Sequence, residues 1–429
     1  MDFRKDLILR WPDPQPAHVS VLKRAGIQAV LLRQPNADFS QACRNAGIET
    51  APEASMKTVK LNQLPIQDPG SYVALSTGLW PGVSRGAAKP NSPDDETASA
   101  SSEPWVDANA YWIPYLRALY PTSASVLAYE ANEAAGLRDG RVVAFDTLEL
   151  AFAEARAAGG NYILSMESSY REALLKDDAK AISAWERLGT TAKWFNQNEA
   201  LFGNAAQPTI TALVEPGRQT AEIANLLFRR NASPLLTSAV PNPSPGILAL
   251  VATGIKAPSA NTATRLLAHA QSGSTVVTDD ASPQAWWRRA QGLREVRKQA
   301  DRVFYALGKG SIIAYNSRAA NPSEHALDVI DVVTHPKRPV RIWNSMTLIA
   351  MASAGGVLHL LNYGTGGGGR RGGRVGNGSE IQVRMQGVFQ KARLLQPGAA
   401  PQELETARRG STTEVLVPVF ERVATVVFG

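Results

Sequence analysis

Short apolar runs alternate with amphipathic stretches over the first part of the chain, up to about Phe202. Short runs separated by helical segments are typical of βαβ units and a parallel sheet. The predicted strands are Leu7–Arg10, Ala29–Leu32, Glu49–Ala51, Val59–Leu61, Tyr72–Leu75, Val126–Tyr129, Val142–Phe145 and Tyr162–Ser165. Eight such strands predict a TIM-type (β/α)8 barrel over residues 1–202, degenerate where no helix separates the third strand from the fourth.

One connection in this predicted barrel, residues 76–125, is far longer than the others. Its first half is Gly, Ser, Pro and Ala without periodicity, which predicts an irregular loop. Loops of this length inside a compact domain are usually functional or disordered. Because this one follows a strand, it is expected at the C-terminal face of the barrel, where active sites form.

The pattern changes after about Gly203. The segments Thr209–Val214, Ile247–Val251, Ser274–Val277 and Ser311–Ala314 read as strands, and helical spacing between and after them predicts an open, doubly wound α/β domain over 203–336. The turn after the first of these strands, residues 215–218, is not GxGxxG, and no GK[ST] follows a glycine run. We therefore expect neither a dinucleotide nor another cofactor.

From about Lys337 the chain is β-rich. Val340–Ala350 and Val357–Asn362 flank Gly355-Gly356, a hairpin signal, and the later runs alternate apolar with polar residues. This pattern predicts an antiparallel β-sandwich over 337–429. The insert at residues 364–378, GTGGGGRRGGRVGNG, joins two of its strands, either as a flexible solvated loop or as an Arg-Gly segment that binds an anion or RNA.

Composition narrows the class of protein. The 429 residues, 44% apolar and 19% charged, suffice for two or three domains with ordinary cores. No apolar run reaches the ~18–20 residues of a membrane helix, so no membrane is expected as a partner. The net charge of +7 is mild, and no basic stripe carries interleaved aromatics, so nucleic acid is not an expected partner either.

Cysteine and histidine usage argues against metals and disulfides. The single cysteine, Cys43, lies in an amphipathic stretch and is predicted to pack in a helix, and the five histidines form no close pair. The residues after Met1 are charged and carry no apolar h-region, so we expect no secretory signal in this chain. The compartment stays open, since a leader could have been removed from a secreted or periplasmic protein.

Aromatic residues concentrate near the predicted barrel loops, beside Pro, Gly, Asp or Asn. A sugar presents a C–H face to flat aromatic rings, while carboxylates and amides bind its hydroxyls. The candidate glycan-binding residues are Trp11, Trp80, Trp105, Asp107, Asn109, Trp112, Tyr129 and Asn132. The alternative for each tryptophan is a core residue that caps the barrel.

Cleavage of a glycosidic bond requires two carboxylates that face each other across it. Those that follow predicted strands are Glu53, Glu130, Glu133, Asp146 and Glu167. We expect Glu130 to act as acid/base and Glu167 as the opposing carboxylate, with Asp146 in support of one of them. The alternative for each is a solvated loop carboxylate or a helix N-cap, and Asp146-Thr147 before an apolar helix looks especially like a cap.

The order of barrel, flavodoxin-like domain and β-sandwich resembles that of family 42 β-galactosidases and similar multidomain glycoside hydrolases. The resemblance spans nearly the whole chain and includes GGNYIL at 159–164 and VLHLLNYG at 357–364. It implies a middle domain that looks like a class I glutamine amidotransferase and serves assembly. Residues 203–336 contain no cysteine, which excludes amidotransferase chemistry itself.

The resemblance also implies an Asn-Glu acid/base after strand four and a glutamate nucleophile after strand seven. Here the predicted strand four ends in Leu61-Asn62-Gln63, without a carboxylate, and the predicted strand seven ends in Asp146. Asn132-Glu133 is the literal Asn-Glu match, which makes Glu133 a competitor to Glu130.

Two hypotheses follow from the sequence. In the first, the protein is a glycoside hydrolase that cleaves an oligo- or polysaccharide with paired carboxylates and assembles as a homo-oligomer through its middle domain. In the second, the degenerate barrel binds a glycan or serves as a scaffold without catalysis.

Overall fold

The structure, a computed structural model, describes most of the chain. The described residues are 1–65, 67–82, 84–85, 105–137, 143–317, 322–333, 337–343, 347–364 and 380–429, without the side chains of 84–85, 105–106 and 322–324. Of the predicted Gly-rich insert, only Gly364 lies inside these ranges.

The first region forms short strands and helices. The strands are β1 (Ile8–Arg10), β2 (Ala29–Leu32), β3 (Glu49–Pro52), β4 (Thr58–Val59), β5 (Tyr72–Leu75), β6 (Ser84–Arg85), β7 (Trp105–Val106), β8 (Ala124–Leu127) and β9 (Asn161–Tyr162). The helices are α1 (Val19–Arg24), α2 (Ala37–Asn45), α3 (Trp112–Leu119), α4 (Thr147–Ala157), α5 (Ser168–Leu175) and α6 (Ala179–Gln197). Cys43 is buried in α2, as its amphipathic context predicts.

Two small parallel sheets make up the wall of this region. One has the order β1-β2-β3 and the other β4-β5-β8-β9. A parallel bridge between Leu9 and Leu164 joins them. The seven strands therefore form one wall in the order β3-β2-β1-β9-β8-β5-β4. No ladder joins β3 to β4 in the described part of the chain, and the wall is open there. Of the predicted strand Val142–Phe145, residues 143–145 are loop and turn, and Val142 lies outside the described ranges.

Apolar side chains from both small sheets meet inside the wall, which shows that it is curved. The members of this cluster are Ile8, Ala29, Leu31, Ala74, Ala124, Val126, Ala128 and Ile163. Half of them are alanine and the other half are branched aliphatic residues, so small and large side chains together fill the space inside the curved wall.

The middle region is a single seven-stranded sheet with helices. Its elements are β10 (Ile210–Leu213), α7 (Arg218–Arg229), β11 (Leu235–Thr237), β12 (Ala249–Ala252), α8 (Ala260–Ser272), β13 (Thr275–Thr278), β14 (Arg294–Lys298), β15 (Arg302–Leu307), β16 (Gly310–Tyr315) and α9 (Pro322–Val332). The sheet order is β11-β10-β12-β13-β16-β15-β14, parallel up to β16 and antiparallel beyond it. The four predicted strands are confirmed, while β11, β14 and β15 are additional.

The last region consists of two antiparallel sheets. Its strands are β17 (Val340–Trp343), β18 (Leu348–Ala352), β19 (Val357–Asn362), β20 (Ile381–Gln386), β21 (Ala392–Leu395), β22 (Gln402–Leu404), β23 (Thr406–Arg409), β24 (Thr412–Val417) and β25 (Val423–Phe428). Sheets β17-β20-β24-β23 and β18-β19-β25-β21-β22 share one apolar cluster, as a sandwich requires. The hairpin between β18 and β19 is confirmed, with Gly356 at φ +75°. The single predicted strand Val340–Ala350 is instead two strands in different sheets.

Helix α4 joins the first region to the sandwich. Each of its 11 residues is buried, because it packs against β9 and α6 and also against β19 and β25. One large apolar cluster includes residues of all three regions. The domain bounds at 202 and 336 therefore remain a prediction, since the core continues across them.

A fully buried carboxyl, Glu154, lies near the centre of α4. It accepts hydrogen bonds from the Asn109 backbone N–H and side-chain amide, both at 2.7 Å, and from the Tyr363 hydroxyl at 2.9 Å. Asn109 also bonds the backbone of Leu79 through both its amide oxygen and its amide nitrogen. Glu154 therefore links α4 to the long loop of the first region and to the sandwich. Burial raises its pKa to about 7, although these hydrogen bonds oppose the shift.

The raised pKa of Glu154 predicts a pH-dependent contribution to stability. Below pH 4.5 the carboxyl is protonated in both folded and unfolded chains, whereas between 4.5 and about 7 mainly the unfolded chain loses its proton. Ionisation of Glu154 in the unfolded chain therefore lowers the free energy of unfolding as pH rises, by ~3 kcal/mol in total. We expect the difference in unfolding free energy between wild type and Glu154→Gln to fall by that amount between pH 4.5 and 7.5, measured by urea denaturation.

Tyr363→Phe is the matched control, because it removes one hydrogen bond that favours the charged carboxylate. In this variant the unfolding free energy should still fall as pH rises, but the fall should occur at higher pH than in the wild type. A difference between wild type and Glu154→Gln that stays constant across this pH range would contradict the assignment.

Candidate strand-end cleft

The carboxyl ends of the parallel strands open into a cleft with two lobes of about 560 and 590 Å³. Four side chains line both lobes: Arg10, Glu53, Glu130 and Asn132. Arg10 ends β1, Glu53 directly follows β3, and Glu130 and Asn132 lie in the segment after β8. Because the carboxyl ends of neighbouring parallel strands meet at one edge, these side chains converge there. This edge is where the sequence predicts the functional site.

Two arginines connect two of the carboxylates in the cleft. Arg10 Nε donates to Glu53 Oε1 at 2.7 Å, and Arg33 Nε lies 3.4 Å from Glu53 Oε2. Arg33 Nη2 also donates to Glu130 Oε2 at 2.7 Å. Since Glu53 and Glu130 hold the same guanidinium group, they lie within the roughly 9.5 Å over which paired glycosidase carboxylates work.

The two arginines differ in exposure. The Arg10 side chain is 8% exposed, donates from Nη2 to the Ala128 carbonyl at 2.9 Å, and has no partner for Nη1 among the described residues. The Arg33 side chain is 64% exposed. Arg10 is thus a fixed part of the cleft floor. The Arg33 side chain crosses the rim, and it can move away from Glu53 and Glu130 without repacking of the core.

Glu130 and Glu167 line the same lobe of the cleft. They follow the neighbouring strands β8 and β9, and the Ala131 N–H donates to Ser165 Oγ at 2.9 Å, which ties the two strand ends together. Glu167 begins α5 at the N-cap position, but its side chain accepts no capping bond and has no polar partner in the described part of the chain. Its carboxylate is therefore available to a ligand.

Glu133 and Asn132 also line this lobe. Glu133 is exposed and begins a short 3-10 turn, Glu133–Ala135, while Asn132 caps that turn by accepting from the Ala135 N–H at 3.2 Å. Part of the Asn132 amide is thus used locally, and Glu133 faces solvent at the rim.

Asp146 does not line the cleft. Its carboxylate pairs with Arg422 at the edge of the sandwich and lies 3.9 Å from Arg187 Nη2. It occupies the N-cap position of α4 without making a side-chain capping bond. Its partners hold it at the junction with the sandwich, so Asp146 is not placed to support Glu130 or Glu167.

The predicted sugar-stacking tryptophans are buried where the structure describes them. Trp11, Trp80 and Trp112 are each at most 2% exposed. Trp11 lines the cleft, but its indole N–H donates to His18 and the Arg171 guanidinium lies 5.1 Å from its ring centre. These rings have core positions, which leaves no open indole face among them. The side chain of Trp105 lies outside the described residues.

The remaining predicted binding residues are also mostly internal. Tyr129 is buried, lines the cleft floor and stacks on Tyr162 with ring centres 4.7 Å apart. Asp107 is 9% exposed, and Asn109 is fully buried on Glu154. Tyr129 and Asn109 therefore shape the cleft from below.

The two arginines of the cleft, Arg10 and Arg33, are not among the site residues predicted from the sequence. A signal was present, because Arg10 ends the first predicted strand and Arg33 directly follows the second. In a parallel sheet such positions converge with the strand-end carboxylates, and oppositely charged groups that converge will pair.

In the described part of the chain, His, Cys, Asp and Glu side chains form no group of three that could hold a metal ion. None of the described helices combines the length and apolar character needed to cross a bilayer.

Comparison with known proteins identifies likenesses of structure only. No protein-family model matches the chain, and neither does any curated protein. An α-L-fucosidase, isoenzyme 2 from Paenibacillus thiaminolyticus, matches with a TM-score of 0.56 and 11% identity over 100% of this chain and 99% of the fucosidase. A β-galactosidase from Rahnella sp. R3 gives a TM-score of 0.47 and 11% identity over 81% of this chain and 60% of its own length. The match to the fucosidase, at 11% identity, is one of fold alone, and this fold combines parallel sheets with antiparallel, sandwich-like sheets.

Proposed function

We propose that this chain binds a carbohydrate in the strand-end cleft and cleaves an O-glycosidic bond there, with Glu130 as acid/base and Glu167 as the opposing carboxylate. The observation that carries the proposal is that both carboxylates line one lobe of the cleft, on strand ends tied by the bond from Ala131 to Ser165. The glycoside-hydrolase-like fold supports a carbohydrate as the substrate class.

The contacts of each carboxylate support the proposed roles. Glu167 has no partner in the described part of the chain, so it can approach the anomeric carbon or the water that attacks it. Glu130 uses one oxygen on Arg33 and keeps the other for the glycosidic oxygen. Glu53 has both oxygens on arginines, which suits it to orient Arg10 and Arg33.

Substitution of the two carboxylates tests the proposed chemistry. Glu130→Gln and Glu167→Gln should each lower kcat/KM by roughly 10²–10⁴-fold, since each removes a proton-transfer or nucleophilic group. The measurement is phenol release from a panel of aryl glycosides of both anomers.

Glu172→Gln is the matched control, because Glu172 is an exposed residue of α5 that pairs with Lys176. Glu133→Gln separates the two acid candidates: a loss in this variant with full activity in Glu130→Gln would transfer the acid role to Glu133. Full activity in Glu130→Gln, Glu133→Gln and Glu167→Gln would refute the assignment.

A second candidate function is glycan binding without hydrolysis. One observation favours it: Arg33 bridges Glu53 and Glu130 across the cleft and so occupies both carboxylates. In this case the charged groups of the cleft act only as hydrogen-bond partners for sugar hydroxyls.

The exposed position of Arg33 gives a test of this second function. Arg33→Met should weaken binding of an oligosaccharide by about 10-fold, the loss expected for one hydrogen bond from a charged group, while Arg44→Met on the exposed face of α2 should not. Binding would be measured by titration calorimetry, together with chromatography of the sugar after prolonged incubation. Intact sugar with measurable binding selects the second function, and released products select the first.

A further inference from the structure

A separate cavity of about 270 Å³ lies at the opposite end of the parallel wall. Helices α3 and α4 end beside it, shortly before the chain enters β8 and β9. The cavity is therefore at the amino ends of these strands, away from the cleft at their carboxyl ends. Its other walls come from residues 203–206, from 233–236 in the middle region and from 351–353 in the sandwich.

The walls of this junction cavity are mainly apolar. Pro114, Ala118, Leu236 and Met351 are typical of its lining. His359 also lines it, but both ring nitrogens are occupied, one by Thr425 Oγ1 at 3.0 Å and the other by the Leu201 carbonyl at 3.1 Å. An apolar cavity with few polar groups at a junction of domains is typical of small-molecule sites.

Arg117 supplies the positive charge in this lining. Its Nη1 donates to the Gly203 carbonyl at 3.3 Å, and no carboxylate of the described residues lies within ion-pair distance of it. Burial lowers its pKa, and no acidic neighbour counters that effect. Arg117 is half-buried, and a partly desolvated cation that is balanced only by neutral groups costs free energy, which an incoming anion would recover.

The backbone around Arg117 is adapted to its position. A Cβ on Gly159, which has φ +86°, would lie 2.6 Å from Arg117 Nη1 and 2.3 Å from the Gly203 Cα. Glycine therefore lets the guanidinium lie between the end of α4 and the segment at Gly203. The carboxyl end of α4 contributes only the partial negative charge of its last carbonyls, which is less than a full anion.

We propose that the junction cavity binds a small organic carboxylate with an apolar body, whose carboxylate pairs with Arg117 while the body fills the space beside Ala118, Leu236 and Met351. A carboxylate matches the planar guanidinium, and the alanine, leucine and methionine side chains match an aliphatic or aromatic body. This site is independent of the proposed function of the cleft.

The test uses the full chain with benzoate and its neutral amide, benzamide, in titration calorimetry and thermal unfolding. Benzoate should raise Tm and bind at least about 10-fold more tightly than benzamide, the factor that a hydrogen bond to a charged group supplies. In Arg117→Gln this preference should disappear, whereas Arg44→Gln, at an exposed helical position, should retain it.

A second variant tests the size of the junction cavity rather than the charge of Arg117. Ala118→Leu narrows the cavity while Arg117 stays, so benzoate should bind at least about 10-fold more weakly even if Arg117→Gln fails to fold. Equal affinity for benzoate and benzamide, absence of benzoate binding, or benzoate affinity unchanged in Ala118→Leu would each overturn the proposal.

Discussion

Two backbone hydrogen bonds hold the two halves of the parallel wall together. The Arg10 N–H donates to the Leu164 carbonyl at 2.9 Å, and the Leu164 N–H donates to the Ile8 carbonyl at 2.8 Å. Strand β1 ends in Arg10, β2 and β3 are followed directly by Arg33 and Glu53, and β8 and β9 lead to Glu130 and Glu167. The cleft exists only because this seam places the two sets of side chains at one edge.

The charged groups of the cleft reinforce the same seam. Arg10 Nη2 reaches the Ala128 carbonyl, and Arg33 Nη2 reaches Glu130, so both arginines of the first sheet bond to the second. Carboxylates that converge at a strand-end edge repel one another, and guanidinium groups between them reduce that repulsion. Because Arg33 is exposed and Arg10 is not, a polar ligand at the rim would compete with the Arg33 bonds and leave the Arg10 bonds in place.

Elements with strong local signals could be predicted from the sequence, whereas positions set by distant partners could not. The apolar runs of β10, β12, β13 and β16 were identified correctly because a buried parallel strand is continuously apolar. Strand β14, with the sequence REVRK, is exposed along its length and has no apolar signature; only its pairing with β15 makes it a strand.

The same limit applies to the candidate site, where residues positioned by distant partners could not be predicted from the sequence. Glu130 and Glu167 lie at the strand-end edge, where their position depends only on the strand that each follows, and their roles stay a prediction. Asp146 follows the same sequence rule, yet Arg422, far away in the chain, pairs with it at the sandwich. For Trp80 and Trp112 the neighbouring Pro, Asp or Asn residues indicate that the chain turns, but they carry no information on burial, which depends on what packs above the loop.

Helix α4 connects the end of the first region that carries the junction cavity with the end that carries the cleft. Each of its buried carboxylates has compensating partners: Glu149 accepts from Arg187 Nε and Thr191 Oγ1 at 2.7 Å each, and Glu154 accepts from Asn109 and Tyr363. The end of the helix lines the junction cavity, while Glu154 holds the Asn109 that lies beside the cleft residue Tyr129. Because α4 is packed on all its faces, its end beside the junction cavity and its bond to Asn109 below the cleft belong to one rigid element.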